Sequence, residues 1–112
     1  MITIILSAII TLLPFNERSA INKVAREYEL TSEQTALLYS IRKAENGAWH
    51  KAFGIEDPRC RTYNKQLLWA ANTIRKRYTG DLEAFASRWC PLNKNVWLKN
   101  VGWFMKQQGY NK

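Results

Sequence analysis

The chain is poor in the residues that most often hold metals and disulfides. Among its 112 residues are two cysteines, Cys60 and Cys90, and one histidine, His50. That is too few for a disulfide scaffold and too few for a zinc site, and no metal or cofactor is expected. Acids are scarce too. Nine Asp and Glu stand against 17 Lys and Arg, which gives a formal net charge of +8 and a sequence pI near 9.8. No apolar run reaches the roughly 20 residues that cross a membrane as a helix. There are no internal repeats, low-complexity tracts or interdomain linkers, so the length accommodates one small domain.

What the chain does have is apolar and aromatic surface. It is 46% hydrophobic and contains five Trp, enough to build a core and to exclude disorder. All of its side-chain charge lies from Glu17 onward. A basic balance of this kind suits a polyanionic partner: nucleic acid, anionic lipid or the acidic bacterial cell wall. A solvated basic surface with no such partner is the plain alternative.

Residues 2–15 are almost wholly apolar, broken only by Thr3, Ser7, Thr11 and Pro14. That is the length of the apolar region of an export signal. No Lys or Arg precedes it, and the best small-residue cleavage site, Arg18-Ser19-Ala20, carries Arg where a small side chain is preferred. Residues 1–16 are therefore read as an export signal or membrane anchor, and 17–112 as the folded domain. Export would let Cys60 and Cys90 pair. A bridge would close a loop of about 30 residues and stabilise by roughly 3–4 kcal/mol in the chain-entropy account. In a reducing compartment they would be two free thiols. The two are expected to lie close enough to bridge in the folded domain, a Cα separation above about 7 Å ruling that out.

From Pro14 onward the pattern is helical. A first helix is predicted from about Arg18 to Glu29, with Ile21, Val24, Ala25 and Tyr28 inward. Thr31-Ser32-Glu33-Gln34 is a capping-box pattern that opens a second, ending at Glu45 or Asn46. A third runs from about Asn64 to Tyr78 with Leu67, Ala71, Ile74 and Tyr78 on one face. Asp81 caps a short fourth through Trp89. Asn93 caps a fifth through about Gln108, with Trp97, Val101, Phe104 and Met105 inward and Gly109 closing it. The expected fold is all-α, a compact bundle of about five short helices with one long loop.

Within the second helix, Leu38, Ile41 and Glu45 fall at i, i+3 and i+7. Glu45 thus continues the core-facing stripe, while Arg42 and Lys43 take the wet side. Asn46-Gly47 is a stop signal, so Glu45 occupies the last turn, where the helix dipole disfavours its ionised form. Partial burial pushes the same way. A carboxyl group kept protonated near neutral pH is what a general acid requires. The competing reading is a surface ion pair with Arg42 one turn back.

The loop from Gly47 to Tyr63 is long for a small helical domain, and such loops are usually functional. An extended piece is expected around Ala52-Phe53-Gly54-Ile55. The loop carries Trp49, Phe53 and Tyr63, together with Glu56 and Asp57. Aromatic rings beside a carboxyl group bind sugars by stacking on pyranose faces. Their commoner use is to fold a loop onto the core.

Three pieces of this sequence resemble the lysozyme superfamily, in particular small phage and bacterial lytic-transglycosylase-like domains. Ile41-Arg42-Lys43-Ala44-Glu45-Asn46-Gly47 is similar to the family's helix that ends in the catalytic glutamate. Ala52-Phe53-Gly54-Ile55 stands where the family has a Gly-rich stretch lining the cleft. Asp81 to Asn93, then Trp97-Leu98-Lys99-Asn100-Val101, resemble the later helices, where an aromatic residue and an Asn border the glycan. The resemblance covers about Leu37 to Met105. It departs in having Glu-Asn-Gly for Glu-Ser, no Gly-Leu-Met-Gln run, and Trp89-Cys90-Pro91 in place of Ala-Tyr-Asn-x-Gly. These departures leave hydrolysis and transglycosylation both open.

The resemblance implies a lysozyme-like fold and cleavage of peptidoglycan strands. Glu45 would be the catalytic acid, and Trp49, Phe53, Tyr63, Trp89 and Asn93 would contact the glycan. Glu56 and Asp57 are the acids available for a second carboxylate role, and the single-glutamate route is favoured over it. The implied partners are peptidoglycan and anionic wall polymer, with membrane association through residues 1–16. The protein would act as a monomer in the periplasm or cell envelope, or in a phage virion or lysis system. A basic helical DNA-binding domain, through Arg75-Lys76-Arg77, is the chief rival, although nucleic acid is not favoured. A catalytically silent, membrane-anchored wall-binding or structural protein is the third reading.

Overall fold

The computed structural model describes residues 13–110. Among these are five α-helices and no strand: α1 (Phe15–Glu27), α2 (Ser32–Glu45), α3 (Tyr63–Arg77), α4 (Leu82–Trp89) and α5 (Lys94–Gln107). A single 3-10 turn, Trp49–Lys51, breaks the long loop between α2 and α3. The piece expected to be extended, Ala52 to Ile55, forms no strand. It is folded by side-chain hydrogen bonds, as described below.

Helix α2 is the centre of the molecule, packed on α1, α3 and α5. Seven consecutive residues, Ala36 to Arg42, are buried along it. A helix covered on several sides has no single wet face. For that reason the expectation that Arg42 lies on the solvent side fails: it is 8% exposed. The start of α2 is the anticipated capping box, with Gln34 N–H donating to Thr31 Oγ1 at 3.1 Å and Thr31 N–H to Gln34 Oε1 at 2.9 Å. The Gln34 amide also donates to the carbonyls of Ile74 and Tyr78, tying the start of α2 to the end of α3. Further along, Gln108 just beyond α5 donates to Ser40 Oγ at 2.7 Å and to the Ala36 carbonyl at 3.2 Å.

The other helices obey local rules. Thr62 caps α3 through the Lys65 N–H, and Asp81 caps α4 through the Ala84 N–H. Asn93 occupies the cap position of α5, but its side chain makes no cap hydrogen bond. Gly109 closes that helix at φ 93°, a left-handed conformation that favours glycine. The core joins Ile21 and Val24 of α1, Leu37 and Ile41 of α2, Leu67 and Ile74 of α3, Phe85 of α4, and Trp97, Val101 and Met105 of α5.

Helix α1 starts two residues before the boundary expected for the folded domain, and Leu13 ahead of it is buried in the core. The rest of the apolar segment expected as an export signal or anchor, residues 1–12, lies outside the described residues. No described helix is long and apolar enough to cross a membrane. Of the two alternatives for Cys60 and Cys90, the structure has the free thiols. Cys60 is buried, with the Gln66 amide 3.6 Å from its sulfur, and Cys90 is half-buried at the end of α4.

Candidate active site

Two buried polar anchors fold the loop after α2 back onto the bundle. The first is Arg42. Its Nε donates to Glu17 Oε1 at 2.6 Å, and a second nitrogen reaches Glu17 Oε2 at 3.3 Å. The remaining guanidinium nitrogen donates to the carbonyls of Gly47 and Ala52, both at 3.2 Å. The Tyr63 hydroxyl completes the group by donating to Glu17 Oε1 at 2.9 Å, and the guanidinium lies 5.8 Å from the centre of the Tyr63 ring. Burial and the Glu17 carboxylate hold the Tyr63 phenol well above its ordinary pKa. The ion pair anticipated between Arg42 and Glu45 does not form, because Arg42 is committed to Glu17.

The second anchor is Gln66 of α3, fully buried. Its Oε1 accepts from the N–H groups of Phe53 and Ile55 at 3.1 and 3.2 Å. Its amide donates to the carbonyls of Ile55 and Cys60 at 2.9 and 2.5 Å. One side chain thus satisfies four backbone groups of a segment that has no ladder of its own. Between the two N–H groups it holds sits Gly54.

Gly54 has φ 76° and presses directly on the Glu45 carboxyl. A Cβ at this position would lie 2.6 and 2.7 Å from the two carboxyl oxygens of Glu45. The left-handed backbone favours glycine here, and any side chain would have to displace the Glu45 carboxyl. Glu45 itself is half-buried in the last turn of α2, ahead of Asn46 in the left-handed conformation. It has no ion-pair partner among the described residues. Burial raises its pKa above the ordinary carboxyl value. The Trp97 indole N–H opposes that shift, and the charge of Glu56 adds to it. Trp97 Nε1 is buried and meets no acceptor within hydrogen-bonding geometry, so the indole acts on the carboxyl without closing a bond to it.

Gly54 also lines a groove of about 310 Å³, together with Glu56, with Trp69 and Arg77 of α3, and with Arg88 and Trp89 of α4. Glu45 does not line this groove; Gly54, which does, is its point of contact with it.

The residues expected to contact a ligand divide sharply. Trp89 lines the groove, stacked on Phe85 with 5.5 Å between ring centres. Trp49 is 54% exposed and packs edge-on against Tyr63 at 4.4 Å, outside the groove lining. Phe53 is fully buried in the core, so the expected glycan contact from it is withdrawn. Tyr63 is half-buried, with its hydroxyl spent on Glu17. Asn93 is exposed and lies outside the groove lining. Of the two loop acids, Glu56 lines the groove and pairs with Lys51 at 3.1 Å. Asp57 instead accepts the Arg59 side chain and backbone N–H, which hold its carboxyl down to about 2.

Sequence reasoning overlooked Glu17, Gln66 and Trp69. The first two act through partners distant in sequence and leave no local signal. Trp69 leaves one: Trp69, Thr73 and Arg77 recur at i, i+4 and i+8 and share the groove face of α3. Among the described residues no three His, Cys, Asp or Glu side chains are grouped to hold a metal ion. Comparison with family profiles, curated proteins and solved structures finds no match to this chain.

Proposed function

We propose that this domain is a lysozyme-like enzyme that cleaves the glycan strands of peptidoglycan, with Glu45 as its general acid. The observation that carries the reading is the state of that carboxyl: half-buried, without a cation, and set against a glycine that lines a groove. A carboxyl group in such surroundings keeps its proton to higher pH and can donate it to a glycosidic oxygen as the bond breaks through an oxocarbenium-like state. The ionised Glu45 left behind meets the Trp97 N–H, which favours the charged form and has no other partner. It can then act as a base in the second step.

The second step favours the single-glutamate route, in which Glu45 activates the sugar's own 6-hydroxyl and a 1,6-anhydro product forms. Asp57 is tied to Arg59 and takes no part. Glu56 lies on the groove but is paired with Lys51, and its charge adds to the burial that raises the Glu45 pKa. The net charge of +8 suits an anionic wall polymer, and the apolar sequence of residues 1–12 suits delivery to the cell envelope or retention there.

Digestion of purified peptidoglycan by wild type and Glu45→Gln, with the products weighed by mass spectrometry, tests the proposal. Cleavage by wild type should fall by about 10²–10⁴-fold in the variant, the usual worth of a general acid. Anhydro-muropeptides would assign a lytic transglycosylase and reducing-end sugars a hydrolase. Full activity in the variant, or no cleavage by wild type, would contradict it.

A further inference from the structure

Helix α5 is covered on one side and bare on the other. Its inner face, with Trp97, Val101 and Met105 at i, i+4 and i+8, is buried where the helix packs on α2 and α4. The opposite face presents Val96, Lys99, Trp103 and Lys106 at i, i+3, i+7 and i+10, all of them exposed. Trp103 is 55% exposed, and its ring meets its own neighbour Phe104 edge-on at 5.0 Å. In the turn that leads into the helix, Leu92 is 95% exposed. None of these side chains lines the groove beside Gly54.

The charge of this face has one sign. No Asp or Glu follows Glu83 in the sequence, so Lys94, Lys99 and Lys106 share α5 with no acid. Lys94 reaches back to Glu83 and Ser87 of α4. Lys99 and Lys106 make no ion pair among the described residues. Two exposed lysines alone would be solvated charge. Interleaved with Trp103 and Val96, they match a surface that is anionic outside and apolar beneath. Lysine ammonium groups attract the headgroups of anionic lipid, while indole and aliphatic side chains enter the headgroup–acyl boundary. Val96 and Trp103 stand about 10 Å apart along the helix axis, so both enter only when the helix lies flat. No described helix is long and apolar enough to cross a membrane, which makes such a contact peripheral. A nucleic acid would leave Leu92 and Val96 unused. A second copy of the chain, packed face to face, would bring lysines against lysines.

We propose that the outer face of α5 docks the domain on an anionic phospholipid surface. Trp103 and Val96 insert, and Lys99 and Lys106 sit over the headgroup phosphates. Docking of this kind is independent of the chemistry at Glu45, and the contact is distinct from residues 1–12.

The test titrates the full-length protein with vesicles of equal parts phosphatidylglycerol and phosphatidylcholine, and with vesicles of phosphatidylcholine alone. Cosedimentation reads the bound fraction. The mixed vesicles should bind at least about tenfold more tightly. Lys99→Gln/Lys106→Gln should weaken that binding by about thirtyfold, and Trp103→Ser by about tenfold. Lys23→Gln/Lys76→Gln removes the same charge from exposed positions on α1 and α3 and should change it by less than about threefold. All the substituted side chains are exposed, and circular dichroism melts matching wild type show that each change is one of binding. Equal binding to the two kinds of vesicle would overturn the proposal, as would α5 variants that bind like wild type. So would a loss in Lys23→Gln/Lys76→Gln as large as in the α5 pair, which would reduce the attraction to net charge. A DNA duplex bound through Lys99, Lys106 and Trp103 more tightly than the mixed vesicles would assign the face to nucleic acid. A dimer in sedimentation velocity that Trp103→Ser abolishes would assign it to a second copy. Either result overturns lipid docking.

Discussion

Glu17 is a buried carboxylate and Glu45 a half-buried one, both lie against the same loop, and their surroundings are opposite. Glu17 is 5% exposed and surrounded by donors: two from Arg42 and one from Tyr63. Glu45 has no cation, one indole N–H that closes no bond, and a second acid, Glu56, within electrostatic reach. The first arrangement spends its charge on holding the chain in place. The second leaves a charge that folding disfavours and a proton that can be given away. Burial alone makes neither a structural anchor nor an acid; the partners decide.

The comparison breaks most visibly on the Glu17 side. Arg42→Ala should cost about 3–5 kcal/mol, because it leaves Glu17 buried without its cation. It also strands the Gly47 and Ala52 carbonyls, so the loop carrying Gly54 should loosen along with the fold. Urea unfolding measures the first effect, and hydrogen exchange at the Phe53 and Ile55 amides the second. The double variant Glu17→Leu/Arg42→Met should recover only part of the loss, since the two carbonyls stay unpaired.

A smaller effect is expected at the seam between the two regions. Gly54→Ala places a methyl group in a left-handed backbone and against the Glu45 oxygens. The backbone conformation should cost about 1–3 kcal/mol. The Glu45 side chain can swing aside, so the clash should appear mainly as displaced chemistry. Peptidoglycan cleavage should fall further than the melting temperature suggests, and an activity loss no larger than the unfolded fraction explains would show that Gly54 does not position Glu45.

The smallest effect has an unusual sign. Because the Glu45 pKa is raised on folding, the folded protein holds the proton more tightly than the unfolded chain does. Stability is then lost as pH rises from the unfolded carboxyl value, near 4.3, through the folded one. Above that window the ionised side chain is a constant burden. Glu45→Gln removes it, so the variant should melt above wild type at pH 7 and level with it below about pH 4. Melting curves at the two pH values check this, and a Glu45→Gln protein less stable than wild type at neutral pH would show that the carboxylate has a partner.

Much of this architecture is legible in the sequence because its cues are local. The Thr31–Gln34 capping box, the Asp81 cap and the stop at Asn46-Gly47 each involve residues within one turn, and the helices begin and end there to within a few residues. The inward position of Glu45 follows from the same periodicity. What a helical wheel cannot show is that α2 is enclosed by three other helices. The wheel puts Arg42 on the solvent side, while its partner, Glu17, lies 25 positions earlier. Gln66 is hidden for the same reason, since its four partners belong to a loop that has no regular pattern. Phe53 reads as a ligand contact because it is an aromatic ring in a loop that also carries acids, yet it is buried in the core. The groove is the least legible feature. It requires α3 and α4 to bring Trp69, Arg77, Arg88 and Trp89 together across an interval that no short motif spans.

The most direct measurement of the difference between the two carboxylates is the titration of Glu45 itself, by carbon-detected NMR of its side-chain carboxyl in the wild-type protein. A midpoint above the ordinary glutamate value, moving higher still when Trp97→Phe removes the indole N–H, is the result expected of a buried acid without a cation. A midpoint at or below the ordinary value would mean that Glu45 is ionised through the neutral range, and the general-acid role would have to be given up.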